Sequence, residues 1–214
     1  MKKIIVFIMM LLPVAASAQE PAAQQLATAV ARLNTAQTGA EYQQLANQFQ
    51  RLAAASPEQW LPVYYAAVAN MRLAFLNKEK AMLFSAQAEA QIKQALGLVK
   101  KAGGNPKDAS EVYTVYSFIE RSRVEADPMV NGRKYGPKAG QYLAQARQLD
   151  PQNPRALYLD GLIKFQTPAM WGGDKQKAKE LLAAALQQFE AAPASAEAPQ
   201  WGKTDCKNML EQAK

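Results

Sequence analysis

The chain has 214 residues, 49% of them hydrophobic and 20% charged, with a net charge of +7, one cysteine and no histidine. That length can bury a sizeable core, and the missing histidine removes the commonest general base and transition-metal ligand, and with them most Ser/His/Asp, Cys/His and zinc chemistries. A lone Cys206 rules out an internal disulfide, and basic residues are spread along the chain with only Lys175, Lys177 and Lys179 clustered, so nucleic acid is not an expected partner.

The first residues have the pattern of a signal peptide: Lys2 and Lys3, an apolar run from Ile4 to Leu12, then Pro13 and the small residues Ala16-Ser17-Ala18. Nine apolar residues are too few for a membrane span, which takes about 20. Cleavage is expected after Ala18, where Gln19 and Glu20 follow instead of the cysteine a lipoprotein needs. The expectation is a periplasmic mature chain with no transmembrane segment.

From there the sequence predicts an all-α fold. Alanine and glutamine are abundant, while glycine and proline sit mostly at helix boundaries. Apolar residues recur at helical spacing in Tyr42, Leu45, Ala46, Phe49 and Leu52; in Val112, Val115, Tyr116 and Ile119; in Ala139, Tyr142, Leu143, Ala146 and Leu149; and in Ala178, Leu181, Leu182, Ala185, Leu186 and Phe189. Ser56-Pro57 and Asn153-Pro154 pair a capping side chain with a proline suited to the first turn, and Gly39 and Gly103-Gly104 are expected as helix stops. The predicted helices lie near 22–37, 41–54, 58–76, 79–102, 109–126, 135–149, 154–166 and 175–191. A short last helix at 203–213 carries Cys206, Met209, Leu210 and Ala213 on one face, which makes Cys206 a core residue. The organisation expected is a signal peptide (1–18), an N-terminal helical pair (19–56), stacked antiparallel hairpins (57–191), and a linker with a capping helix (192–214).

The hairpins repeat. Ala139, Leu143 and Ala146 recur as Ala178, Leu182 and Ala185, and more loosely as Ala95, Val99 and Ala102, a period of 39 to 44 residues. A break precedes each second helix, Asp127-Pro128 through Gly132 in one unit and Thr167-Pro168 through Gly173 in the next. Small residues at these places permit close helix approach. The stretch Asn153–Phe165, with Gly161, resembles the first helix of a tetratricopeptide repeat, Lys177–Leu186 the second, and Leu149-Asp150-Pro151 the turn joining repeats. The units exceed the usual 34 residues. Thr167–Leu182, with Pro168, Gly172, Gly173, Asp174, Lys177 and Ala178, is similar to a segment of the periplasmic T component of tripartite (TRAP) substrate transporters. That likeness implies an all-helical, pore-bearing protein that assists small-molecule uptake.

No convergent titratable groups suggest catalysis, and no catalytic, metal or cofactor residue is expected. Candidate partner-binding residues are Tyr113, Arg121, Arg123, Arg133 and Tyr135 around the middle hairpin, since Arg and Tyr lining a solenoid groove bind peptide or carboxylate groups. Trp171 is a candidate anchor or a plug over the core, and Gly172-Gly173 opens a helix whose amides attract an anion unless Asp174 caps them. Two readings follow. One is a non-catalytic periplasmic scaffold that engages a protein or peptide partner through its groove; the other is a small-molecule-binding accessory of an envelope transporter.

Overall fold

Five of the nine helices among the described residues start at a side-chain cap. A computed structural model of the protein describes residues 21–192 and 198–213; the predicted signal peptide lies outside them. The helices are α1 (Ala22–Leu33), α2 (Gly39–Ala55), α3 (Trp60–Leu76), α4 (Ala81–Lys101), α5 (Pro106–Ala126), α6 (Pro128–Leu149), α7 (Pro154–Gln166), α8 (Lys175–Ala191) and α9 (Lys203–Gln212), with no strand among the described residues. Asn105, Asp127 and Asn153 each accept a backbone N–H of the first turn, and each is followed by a proline at the first helical position. Thr38 and Glu41 form a reciprocal capping box, which makes Gly39 the first residue of α2 and not the stop expected of it. Gly103 and Gly104 do close α4, with φ of 102° and 69°.

The largest departure is α6. The expected loop from Asp127 to Gly132 does not exist: Asp127 alone separates α5 from α6, and α6 begins at Pro128, seven residues before the predicted 135. Asp127 Oδ1 accepts the Val130 N–H at 3.1 Å, so cap and proline start a helix at once despite the glycines that follow. Of the two breaks, only Thr167–Asp174 is a true one.

The helices stack as an array of antiparallel hairpins, α3/α4, α5/α6 and α7/α8, with α3, α5 and α7 side by side, α1/α2 against α3, and α9 against α8. A continuous core runs through them, with Tyr64, Tyr65, Phe49, Ile92, Ile119, Leu159 and Leu182 fully buried. Small residues bring α5 and α6 close enough for hydroxyls to reach the neighbouring backbone: Ser110 Oγ donates to the Ala146 carbonyl at 2.8 Å and Ser117 Oγ to that of Ala139 at 2.7 Å. Gly161 does the same for α7 on α8, where a Cβ would stand 2.8 Å from Leu182 Cγ. Cys206 is buried on α9, and burial pushes its thiol up to about 12. No helix of the described residues is long and apolar enough to cross a membrane.

Candidate functional site

Glycine recurs at every fourth position along the first half of α6, at Gly132, Gly136 and Gly140. That spacing places all three on one flank of the helix, and a Cβ at any of them would meet nothing within 4 Å. The result is a strip of bare backbone facing open space. Pro137 sits in the strip and removes the N–H that would have bonded the Arg133 carbonyl.

Opposite the strip stands the Thr167–Asp174 turn. Ala169–Trp171 form a single 3-10 turn ended by Gly172 at φ +90°. Gly173 is required by a close approach, because a Cβ there would lie 1.7 Å from the Thr167 carbonyl oxygen. The turn is pinned on both sides: the Gly173 N–H donates to the Pro168 carbonyl (3.1 Å), the Asp174 N–H to that of Lys164 (3.0 Å), and Lys164 Nζ to that of Gly172 (3.0 Å). Asp174 Oδ1 accepts the Lys177 N–H at 2.8 Å, so the α8 amides serve a cap. Trp171 is thus held on a fixed turn while 72% exposed, so it does not plug the core.

Between strip and turn runs a groove of about 640 Å³, lined by Arg121 and Val124 of α5, by Pro128, Gly132, Arg133, Gly136, Pro137, Ala139 and Gly140 of α6, and by Ile163, Thr167 and Trp171. This falls within the roughly 300–1,000 Å³ of small-molecule sites, and its lining is apolar apart from Thr167 and two guanidinium groups. Arg121 pairs with Glu125 at 3.0 Å and donates to Gln166 Oε1. Arg133 is exposed and has no ion pair or hydrogen bond among the described residues. A cleft of about 420 Å³ between the α1–α2 turn and α9 is more polar, and its Arg72 is already tied to Asp205.

Of the sequence candidates, Arg121, Arg133 and Trp171 meet in this groove and Gly172-Gly173 shape its turn. The other three lie elsewhere. Arg123 of α5 is buried away from the groove, where it donates to Glu120 (2.9 Å), Glu89 (2.5 Å) and Ser85 (3.1 Å) and lies 5.2 Å over the ring of Tyr135 of α6. Burial outweighs Arg123 and holds the Glu120 carboxyl above its ordinary range. Tyr113 is half-buried in a stack with Tyr116 and Tyr142, at centroid distances of 6.3 and 6.2 Å. Gly136, Gly140 and Pro137 were not singled out from the sequence, although the four-residue glycine spacing was there to be read.

No protein-family model matches the chain, and no curated protein does. Among solved structures, the HusA haemophore from Porphyromonas gingivalis superposes with a TM-score of 0.81 at 31% identity, over 91% of this chain and 94% of that one. The chain belongs to the HusA haemophore family. Membership goes with the all-helical array. It also accounts for the tetratricopeptide-like helices as a helical-repeat-like fold shared with HusA.

Proposed function

We propose that this protein is an exported carrier that holds a planar tetrapyrrole, haem or its iron-free ring, in the groove between α6 and Trp171. The observation that carries this reading is the flat glycine strip set across from an exposed indole on a rigid turn. A strip without side chains admits a flat ring against backbone, and Trp171 offers a π-face to stack on it. Arg133, exposed and unpaired, is placed to receive a carboxylate at the ring's edge. The name haemophore, given to the HusA relative, points to the same cargo. The T-component likeness of Thr167–Leu182 also implies a small molecule, and that stretch supplies Trp171. A peptide is the poorer occupant, because the glycine wall has no pockets to read alternate side chains.

The chain contains no histidine, and the groove lining contains no Cys, Met or Tyr. The ring is therefore held by its faces and carboxylates, and iron-free protoporphyrin is expected to bind within a few-fold of haemin. Titration of each, followed by the Soret band and by tryptophan quenching, tests this. Gly140→Leu fills the slot from a position with room for its Cβ and is expected to abolish binding while the fold is kept. Unchanged affinity in Gly140→Leu would sink the site. A strong preference for haemin, lost in Met170→Leu, would replace face binding with iron ligation by the methionine beside Trp171.

A further inference from the structure

The three hairpins turn at the same end of the array. Helices α3, α5 and α7 run side by side and each doubles back through a short connection, so the α3–α4, α5–α6 and α7–α8 turns form one rim. Contacts between the 3-10 turn Lys78–Lys80 and α5 join the first two tips, and the Arg121–Gln166 bond joins the next two. Of the eight exposed large apolar side chains among the described residues, seven lie on this rim: Leu76, Met82 and Leu83 at the first tip, Met129 (90% exposed) and Val130 at the second, Met170 and Trp171 at the third. A random scatter would divide them between both ends.

The same rim is basic. Residues 76–84, 125–138 and 164–179 hold nine lysines and arginines against four carboxylates. Apolar tips interleaved with lysine are ill suited to the core of a protein interface, from which lysine is depleted, and two such rims repel one another, which disfavours self-association. They suit a bilayer surface: methionine, leucine and tryptophan enter the headgroup boundary singly, while lysine stems lie along the apolar zone with their ammonium groups on anionic lipid.

We infer that the hairpin-tip rim docks the protein onto an anionic lipid surface. The rim adjoins the mouth of the α6–Trp171 groove, but the inference stands on the distribution of apolar and basic residues and is independent of the cargo.

Protein purified from an exporting host is floated with vesicles of phosphatidylcholine alone and of phosphatidylcholine mixed equally with phosphatidylglycerol. Binding is expected on the mixed vesicles, falling as salt is raised. The pair Leu83→Ser and Met129→Ser, both exposed and outside the groove lining, is expected to lower partition roughly tenfold, in keeping with the partial loss of two buried apolar side chains. Far-ultraviolet circular dichroism checks that the variant folds, and porphyrin titration of the same variant, expected unchanged, separates a failed rim from a failed groove. Absence of binding to the mixed vesicles overturns the inference, including where the rim captures an envelope protein instead. Equal partition of variant and wild type, or equal binding to the neutral vesicles, overturns it too.

Discussion

Two glycines of this chain are needed for opposite reasons. Gly161 is needed because α8 leaves no room: the missing Cβ would stand 2.8 Å from Leu182 Cγ and 3.2 Å from the Ala178 carbonyl oxygen. Gly161→Ala is expected to destabilise the fold by about 1–3 kcal/mol, read by denaturant titration, because α7 and α8 must part to admit one carbon. Gly136 is needed because empty space is its product. Its neighbour in the strip, Gly140, also has open space at its Cβ and no proline after it, so Gly140→Ala gains about 0.8–1.0 kcal/mol of helix propensity and is expected to raise the melting temperature while weakening porphyrin binding. A chain that keeps glycine at three such positions on one flank of one helix is using the space. Gly161 is legible in the sequence through its tetratricopeptide setting, whereas Gly132 reads as part of a turn and Gly136 and Gly140 give no signal of their own, since a glycine in a single sequence signals a break more often than a surface. Cys206 was legible from its helical face. Its buried, neutral thiol is expected to ignore an aromatic disulfide reagent until the protein is unfolded.

At the scale of elements, what the sequence made plain was periodicity. Helices α7 and α8 fall where apolar spacing and caps place them, because Asn153-Pro154 and Asp174 are unambiguous start signals. Helix α6 defeated the same reasoning, since glycine, proline and asparagine from 128 to 137 carry low helix propensity and only packing against α5 overrides it. That makes the Asp127 cap the weak point of the hairpin. Asp127→Ala is expected to cost about 1 kcal/mol. The loss is expected to be local as well: amide exchange should quicken over the first turns of α6, and porphyrin affinity should fall because the glycine strip begins there. If exchange rises evenly over the chain instead, the start of α6 is held by packing and not by its cap. The split of the candidate residues has the same origin. Tyr135 falls on one flank of α6, over Arg123 of α5, and Arg133 on the other, a division that follows from a helix running unbroken from Pro128 and that a loop over the same stretch would not produce.

The whole molecule is closed at its C-terminal side by one buried cluster. Arg155 Nε donates to Glu111 Oε2 at 2.7 Å and its Nη1 to the Trp201 carbonyl at 3.3 Å, while a further N–H reaches the Pro199 carbonyl. Tyr64 donates to the same Glu111 oxygen at 3.1 Å and accepts the Trp201 indole N–H at 2.8 Å. Helices α3, α5 and α7 and the segment leading to α9 are thereby joined through a single carboxylate. Burial outweighs the attraction of Arg155 and holds the Glu111 carboxyl above its ordinary 4.5. A carboxyl whose value is higher folded than unfolded keeps its proton more tightly in the folded chain. Its contribution to stability is therefore full below the unfolded value and is lost as pH rises through the folded one. Arg155→Met removes the compensating cation, so the folded value rises further and an unpaired charge is left inside at neutral pH. The expected loss is about 3–5 kcal/mol near pH 7, smaller near pH 5, where protonation of Glu111 relieves it. The double change Arg155→Met with Glu111→Leu should restore most of the loss and flatten the pH dependence, since apolar residues of similar volume replace a buried pair at little cost. Denaturant titrations of the three proteins at the two pH values decide it: a deficit in Arg155→Met that is equal at both would mean that the bonds to Pro199 and Trp201, and not the Glu111 charge, hold the C-terminal segment in place.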